Sequence, residues 1–227
     1  MYHLEYCLIM QNSSRQKSII ALSCSPSKGR NSDTMLDYFI KGARKIPNVN
    51  IEKIYINDIS FDTYAYENKN GPESHEKEFK SLCDKVQSCN GLIIATPTYN
   101  FSVPAQLKNF IDRIRFFALD FKRKTKLKQP VGMLGYLSLY FLASGGTPTW
   151  AQKILFFAFP LFWLRGVFLY FGAKCMGAIY SGDIKTFENT NVLKKCEKAG
   201  RRYAYQVLEE KHHGILERIF WRPPQKA

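Results

Sequence analysis

Ser18-Ile-Ile-Ala-Leu-Ser23 running into Cys24-Ser-Pro-Ser-Lys-Gly-Arg-Asn-Ser32 decides the fold. A short apolar run that meets a turn-rich segment reads as a buried strand entering a loop. From Ser32 onward Met35, Leu36, Phe39, Ile40 and Ala43 recur at helical spacing, with Asn31 or Ser32 placed to cap and Asp33 favourable in the first turn. Strand, loop and helix then repeat along the chain. Residues 49–56 form a second strand, residues 57–72 a long polar connection, and a helix follows with Phe79, Leu82, Cys83 and Val86 on one face. Gly91-Leu-Ile-Ile-Ala95 is a third strand, and the helix after its loop turns Leu107, Phe110, Ile111 and Ile114 inward. Residues 130–143 hold a fourth strand ending in Ser144-Gly-Gly-Thr-Pro148, and residues 174–180 supply a fifth. A last helix over about residues 191–211 buries Val192, Cys196, Tyr203 and Val207.

Continuously apolar strands alternating with helices imply a parallel sheet covered on both faces, because right-handed crossovers lay helices on each side. The fold class is therefore α/β, doubly wound. Ligands in such sheets bind beyond the carboxyl ends of the strands, where strand order reverses. Three loops end there.

The chain has 227 residues, 33 Lys and Arg against 19 Asp and Glu, a net charge of +14, 45% hydrophobic and 15% aromatic residues. That is too apolar for disorder, and a domain of this size buries roughly 70% of the surface its unfolded chain exposes. Six cysteines (Cys7, Cys24, Cys83, Cys89, Cys175 and Cys196) show no metal-binding spacing, and no secretory leader is visible. A reduced, cytoplasmic protein is expected. Basic residues cluster at Lys122-Arg123-Lys124-Thr125-Lys126-Leu127-Lys128 and along the C-terminal third. Such runs are a solvated face or a site for nucleic acid, an anionic membrane or a phosphorylated cofactor. Without a nucleic-acid-binding signature, nucleic acid is not an expected partner.

The first loop offers Ser23, Ser25, Ser27, Lys28, Asn31 and Ser32 within ten residues at the positive end of the first helix. Hydroxyls, an amide and helix-terminal N–H groups there make an anion site, with Lys28 an optional counter-charge. Neither dinucleotide-fold nor triphosphatase glycine patterns occur in it. The loop resembles the S-G-S-P-R-x-G-x-N-T loop of the flavodoxin-like NAD(P)H-dependent FMN reductase family, which is related to the flavin half of iron–sulfur flavoproteins. Thr96-Pro-Thr-Tyr-Asn-Phe-Ser-Val-Pro-Ala-Gln-Leu-Lys-Asn-Phe-Ile-Asp-Arg113 is similar, almost residue for residue, to that family's S-P-x-Y-x-x-S-x-x-A-x-L-K-x-F-I-D-R segment. The resemblance covers roughly residues 18–200 and implies a five-stranded flavodoxin-like sheet of order 2-1-3-4-5, with FMN as cofactor and NAD(P)H as co-substrate.

On that resemblance Ser25, Asn31 and Ser32 bind the phosphate, while Pro97, Thr98, Tyr99, Asn100, Phe101 and Ser102 take the ring and ribityl chain. Backbone amides of the Pro97 to Asn100 turn would meet the ring's pyrimidine edge and Tyr99 and Phe101 give apolar walls. Ser144, Gly145 and Gly146 let the backbone approach the ring's other side, since glycine lacks the colliding Cβ. No protein acid or base need act. Two departures matter. Ser27 stands where relatives often carry Arg, which leaves Lys28, Arg30 or neither for that role. The cysteine motif of iron–sulfur flavoproteins is missing, so no cluster is expected, and His3, His75, His212 and His213 are not at ligand spacing near these loops.

Ile154-Leu-Phe-Phe-Ala-Phe-Pro-Leu-Phe-Trp-Leu-Arg-Gly-Val-Phe-Leu-Tyr-Phe-Gly172 is long enough to raise the question of a membrane span. Pro160 and Arg165 interrupt it, and a straight span would part its ends by ~28 Å across the bilayer although two strands of one sheet flank it. A crossover helix broken near Phe159-Pro160 is expected, its surplus apolar surface covered by a second subunit, a membrane surface or an apolar substrate, the homodimer interface first among these. Residues 1–17 read as a polar leader, residues 18–211 as the FMN-binding domain, and residues 212–227 as a basic, amphipathic tail containing Ile215-Leu-Glu-Arg-Ile-Phe-Trp-Arg222. The expected activity is hydride transfer from NAD(P)H through FMN to a flavin, quinone or similar aromatic acceptor. The alternative is a flavodoxin-like electron carrier without NAD(P)H turnover, docked on a membrane surface, against which the positive charge argues.

Overall fold

The computed structural model describes residues 16–125, 128–154, 160–183 and 185–210. Most of the leader, all of the tail, part of the basic run and residues 155–159 of the long apolar stretch lie outside those residues. The elements in chain order are β1 (Lys17–Ser23), α1 (Asn31–Ala43), β2 (Val49–Tyr55), α2 (Lys77–Ser88), β3 (Gly91–Pro97), α3 (Ala105–Arg113) and the short α4 (Arg115–Ala118). After them come β4 (Leu119–Lys124), β5 (Pro130–Gly132), β6 (Ser138–Ser144), α5 (Thr149–Ile154), α6 (Leu161–Tyr170), β7 (Lys174–Ser181) and α7 (Thr190–Leu208).

Alternation along β1 divides the interior. Ile20 and Leu22 face a core with Phe79, Leu82, Leu107, Phe110, Leu164 and Phe168, from α2, α3 and α6. Ile19 and Ala21 face the opposite core, where Met35, Phe39, Cys196 and Tyr203 arrive from α1 and α7. With successive residues buried on opposite faces, every position of a central strand must be apolar, which is why the strands read as unbroken hydrophobic runs.

The five parallel strands stand in the order β2-β1-β3-β6-β7, the expected flavodoxin-like order with β6 and β7 as fourth and fifth members. Reversal occurs at β1, whose neighbours β2 and β3 both follow it in sequence. Ser23, Tyr55, Pro97, Ser144 and Ser181 end their strands along one edge of this sheet. That edge presents the three loops together.

The structure corrects the reading between residues 119 and 143. The fourth strand of the sheet begins at Ser138, and Pro130–Gly132 instead pairs antiparallel with Leu119–Lys124 in a separate two-stranded ribbon. Pro130 lacks an N–H for a ladder, which suits this short ribbon better than a central strand. Lys122, Arg123 and Lys124 of the basic run thus lie on the exposed end of β4. The ribbon sits at the pole opposite the loops, because Leu134 N–H bonds to Phe171 C=O where β6 and β7 are about to begin.

Two further expectations are adjusted. Arg30, not Asn31 or Ser32, occupies the cap of α1, and no side chain caps that end. The crossover after β6 contains α5 and α6 among the described residues, with Pro160 at the N-cap of the second, while Phe159 of the expected break lies outside them. Among the described residues no helix is long and apolar enough to cross a membrane.

Candidate functional site

Three hydrogen bonds gather the strand ends into one surface. Cys24 N–H donates to Ala95 C=O at 2.8 Å, Thr98 N–H to Ser144 C=O at 2.7 Å, and Gly145 N–H to Ser181 C=O at 2.9 Å. The loop after β1 is thereby tied to β3, the loop after β3 to β6, and the loop after β6 to β7. Residues predicted from three distant stretches of sequence meet at this edge.

Within the first loop Ser25 is buried, and its hydroxyl donates to Ser27 C=O at 2.8 Å while accepting Ser27 N–H at 3.2 Å. That closes a tight turn and leaves Ser27, Lys28, Gly29 and Arg30 exposed. Ser32 is buried in the first turn of α1, and Asn31 Oδ1 accepts Phe187 N–H at 3.3 Å from the segment after β7. Two predicted donors point elsewhere. Ser23 hydroxyl is buried and donates to Asp33 at 2.8 Å, and Lys28 pairs with Asp58 at 2.6 Å and lies over the Tyr55 ring. Arg30 makes no ion pair among the described residues.

The second loop is built around a two-residue turn. Tyr99 and Ser102 exchange backbone hydrogen bonds of 3.0 and 2.9 Å, and the residues between them, Asn100 and Phe101, have φ of 49° and 63°. Positive φ at both central positions is the geometry of a type I′ turn, for which Gly and Asn are the usual residues. Holding a phenylalanine there costs about 1–2 kcal/mol, and such strain is commonest where a ligand is held. The turn leaves Tyr99 47% and Phe101 46% exposed, two aromatic faces at the sheet edge. Pro97 is half-buried behind them.

Where this loop meets the third, one polar atom is left over. Thr98 Oγ1 is buried and has no hydrogen-bond partner among the described residues. A Cβ added to Gly145 would lie 3.3 Å from that oxygen and 2.7 Å from the Tyr180 hydroxyl. Glycine is needed at 145 for this close approach. Gly146 beyond it is exposed, Ser144 is buried at the strand end, and Tyr180 hydroxyl donates to Thr147 C=O at 2.9 Å. A buried hydroxyl without a partner is worth about 1–3 kcal/mol of lost hydration, so a ligand with a polar edge fits this spot. The donor set is hydroxyls, amides and backbone N–H beside exposed aromatics. That combination suits a planar heteroaromatic group carrying an anion.

Sequence reasoning missed several contributors. Asp33 had been read only against the helix dipole, yet it is buried beneath the first loop with Lys53 2.8 Å away. Tyr180 and Phe187, from the β7 side, had no motif to announce them. The spacing of Gly29 and Asp33, four residues apart across a helix start, was the available signal for the carboxylate.

The only triad of metal-ligating types found among the described residues is Asp62, His75 and Glu76. Both Glu76 oxygens are already taken by Arg113, at 2.8 and 2.6 Å, so a cation there would face a guanidinium. The four buried cysteines Cys24, Cys83, Cys89 and Cys196 have thiols pushed up by burial, Cys83 to about 12, so none of them is a nucleophile.

Comparison with known proteins bears on what this surface holds. An FMN-dependent NADH:quinone oxidoreductase of Metamycoplasma arthritidis is 32% identical over 107 residues, which cover 46% of this chain and 53% of that protein. A protein of the same description from Mesoplasma florum is 26% identical over 174 residues, 74% of this chain and 84% of its own length. Among solved structures, an FMN-dependent NADH-azoreductase of Bacillus anthracis in complex with FMN superposes with a TM-score of 0.64 at 16% identity, covering 85% of this chain and 99% of that one. The last likeness establishes the fold. The model of the NADPH-dependent FMN reductase family matches residues 18–152, from the first strand through all three loops, and the chain belongs to that family.

Proposed function

We propose that the three loops hold FMN and that the protein passes reducing equivalents from NADH or NADPH to a quinone or similar aromatic acceptor. The single observation that carries this reading is the buried Thr98 hydroxyl beside Gly145, without a partner among the described residues, where the polar margin of a flat ring fits. FMN, when bound, supplies the hydride chemistry. The chain supplies binding, orientation and exclusion of water.

In this reading N–H groups of the Ser25 to Ser32 loop and the start of α1 take the phosphate, with Ser32 and Asn31 beside them. Arg30 is the counter-charge, since Lys28 is committed to Asp58. Ser23 supports the loop through Asp33 and does not touch the ligand. Thr98 donates to the ring margin, Ser144 and Gly145 border it, Gly146 opens the approach, and Tyr99, Asn100, Phe101 and Ser102 form the wall against which it rests. The remaining ring face is where nicotinamide and acceptor alternate. An electron carrier without NAD(P)H turnover is set aside, because the family is one of NADPH-dependent reductases.

A second copy of the chain covers the apolar outer face of α6, where Phe162 is 66% and Leu169 44% exposed on one side of the helix. The expected homodimer leaves membrane contact as the lesser use of the same face. Free, buried cysteines accord with a cytoplasmic location.

The test is spectroscopic. Purified protein given FMN should show a bound flavin spectrum, which NADH or NADPH bleaches without oxygen and a soluble quinone restores. Protein that takes up no FMN overturns the assignment, and bound FMN that neither nicotinamide bleaches overturns the enzymatic part.

A further inference from the structure

A carboxylate buried behind the loop proposed to take a phosphate is an anomaly, and Asp33 is one. It lies in the first turn of α1 and is 1% exposed. A negative charge there competes for the same helix-terminal potential that a phosphate would use. Its partners indicate why the position is occupied.

Oδ1 accepts the Ser23 hydroxyl at 2.8 Å from the end of β1 and lies 2.8 Å from Lys53 Nζ on β2. Oδ2 accepts Gly29 N–H at 2.7 Å from the loop itself and the Tyr55 hydroxyl at 3.3 Å. One side chain therefore joins two strand ends, the helix start and the loop's far side. Gly29 is in the left-handed region at φ 70°, the point where the loop reverses toward α1. Burial opposes ionisation of Asp33, but hydrogen bonds from Lys53, Gly29 and Ser23 outweigh it and hold the carboxyl below its usual range. Lys53 is 17% exposed and is shared with Asp37 at 2.5 Å.

We propose that Asp33 is a positioning residue for the FMN phosphate: it pins Gly29 so that the loop's N–H groups converge before ligand arrives, and Lys53 cancels the charge this introduces. The inference rests on the FMN reading above. It goes further by assigning phosphate selectivity to two residues that do not touch the ligand. Preorganisation matters here because a loop of serines and glycine would otherwise lose much conformational freedom on binding.

The test compares FMN with riboflavin, which has the same ring and no phosphate. Apoprotein is titrated with each by flavin fluorescence, for the wild type, Asp33→Ala, Asp33→Asn and Lys53→Met, with the thermal midpoint taken without flavin. The wild type should prefer FMN. Asp33→Ala should lose about tenfold or more of that preference while riboflavin affinity stays within about twofold, because the tether to Gly29 is gone and the ring site is not. Asp33→Asn should keep the preference within about threefold, since its carbonyl still accepts from Gly29 and its amide can donate to Ser23 oxygen. Lys53→Met leaves the carboxylate uncompensated and should lower the preference about tenfold.

An Asp33→Ala preference equal to wild type, or one that falls no further than that of Asp33→Asn, overturns the proposal. So does a parallel loss of FMN and riboflavin affinity, which a merely structural role would give. Should Asp33→Ala fail to fold, the remaining pair decides: Asp33→Asn must exceed Lys53→Met in preference, and equality overturns the idea. Wild-type protein that binds neither flavin, or does not prefer FMN, refutes the FMN reading instead.

Discussion

The loops after β1 and β3 lie on the same edge and are ordered in opposite ways. The first is tied down by its neighbours: Asp33 of α1 holds Ser23 and Gly29, Lys53 of β2 balances it, Ser25 closes the turn through Ser27, and its one left-handed position is a glycine. The second holds Asn100 and Phe101 in the left-handed region and keeps the Thr98 hydroxyl buried without a partner. Stability is thus concentrated in the loop proposed to take the phosphate, and strain in the loop proposed to take the ring. A phosphate is recognised by a rigid ring of donors, whereas a planar group needs flat surfaces and one or two polar contacts. The two loops divide the work accordingly.

Something must support the strained loop, and α3, which follows it directly, is anchored by an ion pair buried at both side chains. Arg113 and Glu76 are 0% and 1% exposed at the side chain and meet through two hydrogen bonds. Arg113 also donates to Asp62 C=O at 2.8 Å, and Glu76 accepts N–H groups of Asp62 and Glu73. The long connection after β2 is thereby fastened to the far end of α3. Arg113→Met should destabilise by about 3–5 kcal/mol in urea unfolding, because it strands a buried carboxylate. It should weaken the second loop more than the first, seen as faster amide exchange at 98–103 than at 24–30.

The same pair predicts an acid limb. Burial raises the Glu76 carboxyl but Arg113 and the backbone N–H donors outweigh it, bringing it from 4.5 down to about 2. A depressed folded value means that the stabilisation is complete above the unfolded value and is lost as pH falls from about 4.5 toward 2, some 3 kcal/mol in all. Glu76→Gln should be less stable at pH 7 and should show a flatter loss over that window. Equal slopes would assign the acid limb to other carboxylates.

How legible this division was in the sequence differs between the loops. The β-strand runs and helical spacings gave the sheet and its two cores because burial on both faces leaves a periodic imprint. The Thr96 to Arg113 segment pointed to the ring loop because its resemblance to the family motif runs through eighteen consecutive residues. Asp33 and Arg113 were present in the quoted segments, yet their roles were not readable, since Lys53 and Glu76 reach them from separate elements. The hairpin of β4 and β5 escaped because Pro130 to Ser144 looks equally apolar whether it forms one strand or two pieces. Pairing is a property of the folded chain, and a single sequence records only one side of each pair.

Thr98 offers a smaller effect with a definite sign. Thr98→Val preserves the shape and removes the unpartnered hydroxyl, so the apoprotein should gain about 1–2 kcal/mol in thermal or urea unfolding. FMN affinity should fall about fivefold to tenfold with the lost hydrogen bond. A stabilised protein with unchanged FMN affinity would mean that the hydroxyl does not meet the ring, and the contrast between the loops would reduce to strain alone.

Phe101→Gly probes that strain directly and carries the smallest expected change. Glycine adopts φ near 63° without the Cβ penalty but is freer in the unfolded chain, so the net gain in apoprotein stability should be about 0.5–1 kcal/mol. The flavin-bound protein should respond in the other direction, losing an aromatic wall and with it several-fold in FMN affinity, about 1 kcal/mol. Asn100→Gly separates the two effects: asparagine already tolerates φ of 49°, so relief there should be slight and FMN affinity nearly unaltered. If Phe101→Gly instead destabilises the apoprotein, the turn is held by the aromatic side chain and not against it, and the strained loop owes its shape to packing in the same way that the first owes its shape to Asp33.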